Sequence, residues 1–296
     1  MGALRIATWN VNSLRARLDK VRWWLERARP DVLLMQETKL TDEDAPVDAF
    51  RELGYELAHH GEGRWNGVAI ASRCGIASVE TNFDRPLRAA DTEDDGDYDP
   101  LGEARMLAAD CGGVRVVSLY APNGRTVDSP FYEAKLAWFD RLARWVEKAA
   151  DPAQPLLLGG DFNVAPEDAD VWDARACHGG THVSPREREA FARLRRFGLV
   201  DLYRAHHAER GRYTWWDYRA GNFHKNFGMR IDHLLATPPL AERAVWAEID
   251  REARKGKPTP SDHAPLVVDM DEPGHPFDAG WAQAEGRIAA RRSDGD

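Results

Sequence analysis

Short apolar runs rich in Val, Ile and Leu recur along the chain, and polar segments separate them. Their length favours strands over helices. The run from Pro155 to Leu158 is continuous, as expected for a strand that is covered on both faces. The predicted strands lie at Arg5–Asn10, Asp31–Glu37, Gly67–Ser72, Val114–Tyr120, Pro155–Asn163, Arg230–Thr237 and His263–Met270.

Three segments between these runs have apolar residues at helical spacing. The first covers Leu14–Ala28 and ends before Pro30, and the second has an apolar stripe from Leu136 to Val146. The third has the clearest start, because Ser184 and Glu187 form a capping box around a proline at the first helical position. The sequence therefore predicts at least three amphipathic helices.

Strand and helix patterns alternate irregularly, which favours an α/β or α+β protein whose elements pack in layers. No linker divides the chain, so we expect one domain over residues 1–271 and a polar C-terminal tail over 272–296. The acidic segment Asp91–Glu103 is expected to be a solvated loop. Length and apolar content together allow one sizeable core.

Charge and cysteine content narrow the class of protein. A formal net charge of -9 argues against adhesion to nucleic acid by overall charge, although a local basic face can coexist with an acidic chain. Three separated cysteines without a Cys-x-x-Cys motif indicate a reducing compartment, with neither a disulfide framework nor a structural zinc site. The sequence has no signal-peptide pattern and no apolar stretch of membrane-spanning length, so we expect a cytoplasmic protein without a membrane partner.

Polar side chains stand at or near the ends of nearly all the apolar runs, where a sheet holds them rigidly and leaves them accessible. Each one alone has an ordinary structural explanation, such as a turn residue or a half-buried ring. Their recurrence as a set is what indicates a site. The set consists of Asn10, Glu37, Tyr120, Asp161, Asn163, Asp232, Asp262 and His263.

The chemistry of this set favours a phosphate ester as substrate. Glu37, Asp161 and Asp262 offer hard oxygen ligands, which suit Mg²⁺ or Mn²⁺ better than zinc. Asn10 and Asn163 can orient water or phosphate without adding charge. An Asp–His pair fixes the imidazole tautomer and favours its cationic form. Together these groups predict metal-assisted hydrolysis of a phosphate ester.

Six sequence blocks resemble the signature blocks of the exonuclease III family, the bacterial exodeoxyribonuclease III and AP endonuclease branch of the endonuclease/exonuclease/phosphatase superfamily. They occur in the family's order between Ile6 and Asp269. The resemblance implies a four-layer αββα sandwich of two mixed β-sheets flanked by helices, with the site at one edge. The blocks are WNVNSLRAR, DVLLMQETK, LYAPNGR, GDFNVAPED, GMRIDHLLA and PSDHAPLVVD.

The resemblance also implies which residues hold the metal. Glu37 is implied as the main ligand, assisted by Asn10 and Asp262. The number of metals during turnover stays open. The full metal-binding set is Asn10, Glu37, Asp161, Asn163, Asp262 and His263.

The catalytic roles follow from the same resemblance. Asp161 activates or positions the attacking water, and Asn163 orients the site and the phosphate. His263, paired with Asp232, contacts the scissile phosphate and stabilises the developing charge. Tyr120 lies against the same phosphate. Whether Asp161 or His263 takes the proton stays open.

A DNA substrate is indicated by the segment Arg212–Arg230, which interleaves aromatic and basic side chains. Basic groups bind backbone phosphates and flat rings accept a sugar or a base. By resemblance, Trp215 lines a small apolar pocket for a flipped-out abasic sugar, which is cheap to extrude because it lacks a base. The loop Arg251–Lys257 offers further phosphate contacts. The predicted DNA-binding residues are Arg105, Arg125, Trp215, Lys225, Met229, Arg230 and Ile231.

The predicted protein is a monomeric, Mg²⁺-dependent DNA phosphodiesterase of base excision repair, located at the bacterial nucleoid. It cuts double-stranded DNA on the 5′ side of abasic sites and acts as a 3′–5′ exonuclease that trims blocked 3′ ends. Two alternatives are another phosphoesterase of the superfamily, such as an inositol-phosphate phosphatase or a sphingomyelinase, and a non-catalytic DNA-binding module. One departure from the family pattern is His233, which is expected either to pack or to perturb the Asp232–His263 pair.

Overall fold

Two six-stranded β-sheets form the centre of the protein in the computed structural model, which describes residues 3–83 and 100–293. Most of the acidic segment predicted as a solvated loop, residues 91–99, lies outside the described residues. The strands are β1 Leu4–Asn10, β2 Val32–Gln36, β3 Glu56–His60, β4 Val68–Ser72, β5 Ala77–Thr81, β6 Met106–Cys111, β7 Val114–Tyr120, β8 Leu156–Asp161, β9 Val200–Asp201, β10 Asp232–Ala236, β11 Ala244–Ile249 and β12 Leu266–Met270.

Both sheets are mixed. The first has the strand order β11-β12-β1-β2-β4-β3, and the second has the order β5-β6-β7-β8-β10-β9. Strands β1 and β2 pair in parallel, as do β7 and β8, while their other neighbours are antiparallel. The carboxyl ends of these two parallel pairs, one in each sheet, supply much of the site.

Helices cover the outer face of each sheet. The three predicted helices are confirmed as α1, α3 and α5, and the Ser184–Glu187 capping box is formed. The helices are α1 Leu14–Ala28, α2 Val47–Arg51, α3 Pro130–Ala149, α4 Ala174–Cys177, α5 Pro185–Arg196, α6 Leu202–His206, α7 Asn222–Lys225, α8 Pro238–Ala241 and α9 Trp281–Ser293, with 3₁₀ turns at Pro100–Gly102, Asp168–Asp170, Arg219–Gly221 and Arg251–Arg254.

The alternation of side chains along each strand produces the layers. In β1, Leu4 and Ile6 pack in the core between the sheets, whereas Ala7 and Trp9 pack against α1. In β8 the continuous leucine run serves both faces, since Leu157 faces the other sheet and its neighbours face α3 and α5. The predicted four-layer αββα sandwich is confirmed.

Two glycines at the end of β8 let the chains approach closely. A Cβ at Gly159 would lie 2.5 Å from Leu34 Cδ1 in the facing sheet. A Cβ at Gly160 would lie 1.9 Å from the carbonyl oxygen of Leu119 in β7. The double glycine therefore keeps β8 tight against its neighbours and fixes the position of Asp161.

Five strands were not predicted from the apolar runs, namely β3, β5, β6, β9 and β11. Strand β5 is largely exposed and β9 has only two residues, so neither leaves an apolar run in the sequence.

Beyond residue 271, α9 begins with Trp281, which is buried and donates from Nε1 to the carbonyl oxygen of Ile249 at 2.6 Å. The domain boundary at 271 stays a prediction. No helix among the described residues has the length and apolar character needed to cross a membrane.

Candidate active site

Strand register brings the predicted residues to one edge of the sandwich. Asp161, the last residue of β8, stands opposite Tyr120 of β7 and opposite Asp232 of β10. In the other sheet Asn10 ends β1, and Glu37 directly follows β2, its parallel neighbour. The set that is scattered through the sequence is therefore assembled by the meeting of strand ends from both sheets.

A cluster of ligand atoms lies at the centre of this edge. One atom each from Glu37, Asp161 and His263 lies within 4.8 Å of the other two. Asn10 is fully buried, and its Nδ2 donates to Glu37 Oε1 at 2.8 Å and to Asp161 Oδ2 at 2.9 Å. Two carboxylates at this spacing fit a hard divalent cation such as Mg²⁺ or Mn²⁺. The Asn10 amide donates to both of them, and its role as a metal ligand stays a prediction.

The backbone at two residues of the cluster is strained. Glu37 and Asn163 both have φ of 51°, in the left-handed region that residues other than glycine rarely adopt. Neighbouring hydrogen bonds hold them there, including one from the Ser13 amide to the Glu37 carbonyl at 2.7 Å and one from the Asn163 amide to Asp161 Oδ1 at 2.8 Å. Strain of this kind is concentrated at functional sites.

Asp161 is a buried carboxyl that resists ionisation. Burial and the nearby Asp232 charge raise its pKa to about 7, despite the opposing effect of His263 and the hydrogen bond from Asn10. A bound cation would favour the carboxylate. Without one, Asp161 gains and loses a proton near neutral pH.

His263 is held in the opposite state. Its Nδ1 lies 2.8 Å from Asp232 Oδ2, and both side chains are buried. Burial alone disfavours the charged ring, but the charge and hydrogen bond of Asp232 outweigh it and raise the pKa of His263 to about 10. The Nε2 atom of His263 lies 3.9 Å from Asp161 Oδ2. The imidazolium thus faces the cluster as a cationic donor.

Tyr120 is half-buried beside this cluster and is supported by Arg105. Burial and Glu37, which also shares a hydrogen bond with the phenol, raise the pKa of Tyr120 well above its usual range. The Arg105 guanidinium lies 4.7 Å from the Tyr120 ring centroid and pairs with Glu103. Arg105 is only 5% exposed and supports Tyr120, and its role as a DNA contact stays a prediction.

Asp262 lies beside the cluster with both carboxylate oxygens engaged. Asn12 Nδ2 donates to its Oδ1 at 2.9 Å, and Trp215 Nε1 donates to its Oδ2 at 3.1 Å. Burial opposes its ionisation, but the His263 charge and these two donors hold the pKa of Asp262 below its usual range. The arrangement makes Asp262 a link between Trp215 and the site, and its role as a metal ligand stays a prediction.

Asn163 is similarly engaged. Its Nδ2 donates to the carbonyl oxygen of Ala121 at 3.0 Å, and its Oδ1 accepts from Asn123 Nδ2 at 3.2 Å. These bonds turn the Asn163 amide toward the loop after β7 rather than toward Glu37. Its role in phosphate orientation, like its role as a metal ligand, stays a prediction.

Four site residues were missed by the sequence reasoning. Lys39 donates to Glu37 Oε2 at 2.9 Å and to Asn12 Oδ1 at 2.7 Å. Asn12, Lys39 and Asn123 all lie inside the sequence blocks that resemble the family, just after apolar runs, and this position is a signal that the sequence carries. The fourth residue is His182, for which the sequence offers no comparable signal.

His182 forms part of the wall behind Asn163. Its Nδ1 lies 2.6 Å from the Asn163 carbonyl oxygen, and its ring centroid is 6.4 Å from that of Trp215. Burial and the nearby Lys135 charge lower the pKa of His182 to about 4. A neutral imidazole donating to this carbonyl is therefore built into the wall between the cluster and Trp215.

The predicted sugar pocket corresponds to a small apolar cluster. Trp215, Met229 and Ile231 pack together with Val171 and Val183. Trp215 and Met229 are half-buried and reach the surface, whereas Ile231 is only 2% exposed. Ile231 thus lies under the other two, and its role in DNA binding stays a prediction.

The basic residues predicted to contact DNA differ in how far they are buried. Arg125 and Lys225 are exposed. Arg230 is fully buried and binds Asp170 at 2.7 Å and Asp201 at 2.8 Å, so its prediction as a DNA contact is wrong. An interior arginine with two carboxylate partners has a structural role.

His233 packs rather than perturbing the Asp232–His263 pair. It is fully buried, and its Nε2 donates to the Val164 carbonyl oxygen at 2.9 Å. Its ring lies 4.7 Å from that of Phe191. Because successive strand residues face opposite ways, His233 points to the helices while Asp232 points to the site.

The fold and this cluster together define a hydrolase of the phosphoesterase class. The chain belongs to the endonuclease/exonuclease/phosphatase family, whose family model matches residues 7–263. The predicted family resemblance is thereby confirmed.

Individual proteins of known structure or sequence show which members of this family the chain resembles. The chain is 31% identical to exodeoxyribonuclease III of Haemophilus influenzae, over 90% of this chain and 100% of that protein. A solved AP endonuclease from Archaeoglobus fulgidus is 37% identical, covers 91% of this chain and 100% of its own, and superposes with a TM-score of 0.84. A solved 3′ phosphatase from Neisseria, bound to a product DNA hairpin, is also 37% identical with a TM-score of 0.81 and covers 91% and 100% of the two chains.

Proposed function

We propose that the protein is a Mg²⁺- or Mn²⁺-dependent DNA phosphodiesterase that cuts the backbone on the 5′ side of abasic sites and trims blocked 3′ ends. The observation that carries this is the meeting of Glu37, Asp161 and the Asp232–His263 pair at one edge of the sandwich. The similarity to an exodeoxyribonuclease, an AP endonuclease and a 3′ phosphatase supports DNA as the substrate.

Glu37 and Asp161 are the residues that would hold the cation, with Asn10 fixing both carboxylates in place. A bound divalent ion supplies charge stabilisation for the phosphate oxygens. Lys39 pairs with Oε2 of Glu37, so that the other carboxylate oxygen, Oε1, faces Asn10 and the cluster. Both carboxylates are hard oxygen donors, whereas His263 faces them as a cation and is not counted among the ligands.

Asp161 is the group assigned to accept the proton of the attacking water. His263 is kept cationic by Asp232 and has no vacant basic nitrogen near neutral pH, whereas a bound cation would keep Asp161 as a carboxylate that can accept a proton. The division resembles other sites in which neighbouring groups take opposite roles because their pKa values are pushed apart. His263 then donates from Nε2 to a phosphate oxygen as negative charge develops.

Tyr120 remains protonated across the physiological range and acts as a second donor to the phosphate. Trp215 and Met229 form the apolar wall that receives the sugar of the abasic site. Lys225 and Arg125 contact the flanking backbone. The enzyme acts as a monomer at the bacterial nucleoid.

Parallel cleavage assays test this proposal. Wild-type protein is given a duplex with one abasic site, a nicked duplex with a 3′-phosphate, an intact duplex and an inositol phosphate, each with Mg²⁺ and with EDTA. We expect metal-dependent cleavage of the first two and little action on the last. Glu37→Gln should abolish turnover while binding persists, and Glu43→Gln, an exposed loop residue, is the matched control.

The alternatives predict different outcomes in the same assays. Turnover of the inositol phosphate without cleavage of either DNA lesion would favour another phosphoesterase of the family. Binding of abasic DNA without cleavage in any metal would favour a DNA-binding module. Cleavage that is unaffected by Glu37→Gln would remove the cluster from the reaction.

A further inference from the structure

Three side chains from separate segments meet beside the active-site edge. Arg17 lies early in α1, Tyr218 follows the Trp215 segment, and Arg254 ends the 3₁₀ turn Arg251–Arg254. Arg17 Nη2 donates to Tyr218 Oη at 3.2 Å, and the Arg254 guanidinium carbon lies 4.7 Å from the centroid of the Tyr218 ring. These three residues are called the basic cluster below.

The basic cluster shares its framework with the active site. The amide of Leu14, at the start of α1, donates to the carbonyl of Thr38, the residue after Glu37, at 2.9 Å. Tyr218 Oη donates to the carbonyl oxygen of Pro260 at 2.7 Å, two residues before Asp262. A ligand held by the basic cluster would therefore lie next to a ligand held at the catalytic edge.

The positive charge of this cluster is not balanced within the described part of the chain. Neither Arg17 nor Arg254 forms an ion pair there, although other buried arginines such as Arg230 bind carboxylates. The Nε atoms of Arg17 and Arg254 are both buried without a hydrogen-bond partner among the described residues. Arg254 is only 8% exposed, so its charge is held in a confined place.

Asp262 does not supply the missing partner, because its oxygens accept from Asn12 and Trp215. Burial lowers the pKa of Arg254, and the effects of Tyr218 and Asp262 only partly offset this. Two guanidinium groups without a carboxylate are costly in a partly buried position unless an anion binds them. The whole chain has a net charge of -9, so two uncompensated arginines at one place form a local positive field that would attract an anion.

We propose that Arg17, Tyr218 and Arg254 form a subsite for a backbone phosphate of the DNA strand, adjacent to the phosphate that is cleaved. Guanidinium groups recognise phosphate oxygens through paired N–H donors. The Tyr218 ring is 45% exposed and offers a flat surface to the neighbouring sugar. This inference rests on the proposed function, since it assumes a DNA substrate.

Salt dependence of binding tests the subsite. Anisotropy of a labelled duplex with one tetrahydrofuran abasic analogue is measured in EDTA at several salt concentrations, so that no cleavage occurs. The plot of log K against log[salt] has a negative slope, and each lost phosphate contact makes it less steep by about 0.9. We expect that decrease for Arg17→Gln and for Arg254→Gln, but not for Arg29→Gln, which removes an arginine at the far end of α1.

Replacing single phosphates of the duplex by methylphosphonates locates the contact. At one position beside the scissile phosphate, the neutral linkage should weaken binding of the wild type but should not weaken binding of Arg17→Gln further. If both variants keep the wild-type slope, or if the methylphosphonate pattern is unchanged in Arg17→Gln, the subsite is refuted. Should Arg254→Gln fold poorly, Arg17→Gln carries the test alone.

The outcome separates this inference from the proposed function. A wild-type protein that cuts abasic DNA while both variants bind with unchanged slope overturns the subsite and leaves the activity intact. A wild type that never cuts DNA overturns the proposed function, whatever the slopes are.

Discussion

Replacing Asp232 by Asn is the sharpest perturbation of the site, because it preserves shape and removes one charge. In the wild type, Asp232 Oδ2 lies 2.8 Å from His263 Nδ1 inside the protein. The pKa of His263 is about 10 against an ordinary value of 6.5, which corresponds to roughly 5 kcal/mol in favour of the charged ring. In Asp232→Asn, burial is opposed only by the smaller effects of Asp161 and Asp262, so the pKa of His263 should fall and the ring should be neutral at pH 7.5.

The variant should lose activity through the missing charge on His263. Removing a positioned donor of this kind costs on the order of 10²–10⁴ in rate. Because lowering the pH recharges the ring, the ratio of variant to wild-type kcat/KM should rise as the pH falls below 6.5. Glu209→Gln, which removes an exposed carboxylate from His207, is the control and should leave the profile unchanged.

Two measurements check this reasoning independently of turnover. Imidazole ¹⁵N NMR should show His263 cationic up to about pH 9 in the wild type and neutral at pH 7.5 in the variant. Since the folded pKa of His263 is raised above its ordinary value, the stability from the pair is fully present below about pH 6.5 and is lost as the pH rises through about 10. The two proteins' urea midpoints should therefore converge with rising pH. A cationic His263 in Asp232→Asn at pH 7.5 would refute the assignment.

Three further outcomes are expected. Mn²⁺ binding at pH 7 should release protons, because the pKa of Asp161 is about 7 without an ion, and calorimetry in buffers of different ionisation enthalpy should show the release disappear by pH 9. Gly160→Ala should unfold at a much lower temperature than wild type, since its Cβ would lie 1.9 Å from the Leu119 carbonyl; a melting temperature within a few degrees of wild type contradicts this. Arg230→Met should cost about 3–5 kcal/mol in urea unfolding, because buried Asp201 loses its arginine partner and Asp170 keeps only Arg204, yet it should leave the salt slope of DNA binding unchanged; a lower slope would restore Arg230 as a phosphate contact.

The cluster itself was accessible from the sequence because each member ends or borders an apolar run. Asn10 and Asp161 end strands β1 and β8, and Glu37 follows β2. Once the runs are recognised as neighbouring strands, their polar ends must lie close together. What the runs do not contain is strand order, so the pairing of Asp232 opposite Asp161 came only with the sheet register.

The sequence by itself determined the elements that depend on short-range order: the apolar period of the strands, the capping box at Ser184, and the set of oxygen and nitrogen groups at the strand ends. Only the tertiary structure decided what each polar group does. Arg125 and Arg230 are the same residue type in equally suggestive segments, yet one is exposed and the other is enclosed by two carboxylates. Burial and charge pairing arise from residues far apart in the chain, and they set both the reach of an arginine and the proton affinity of Asp161 and His263.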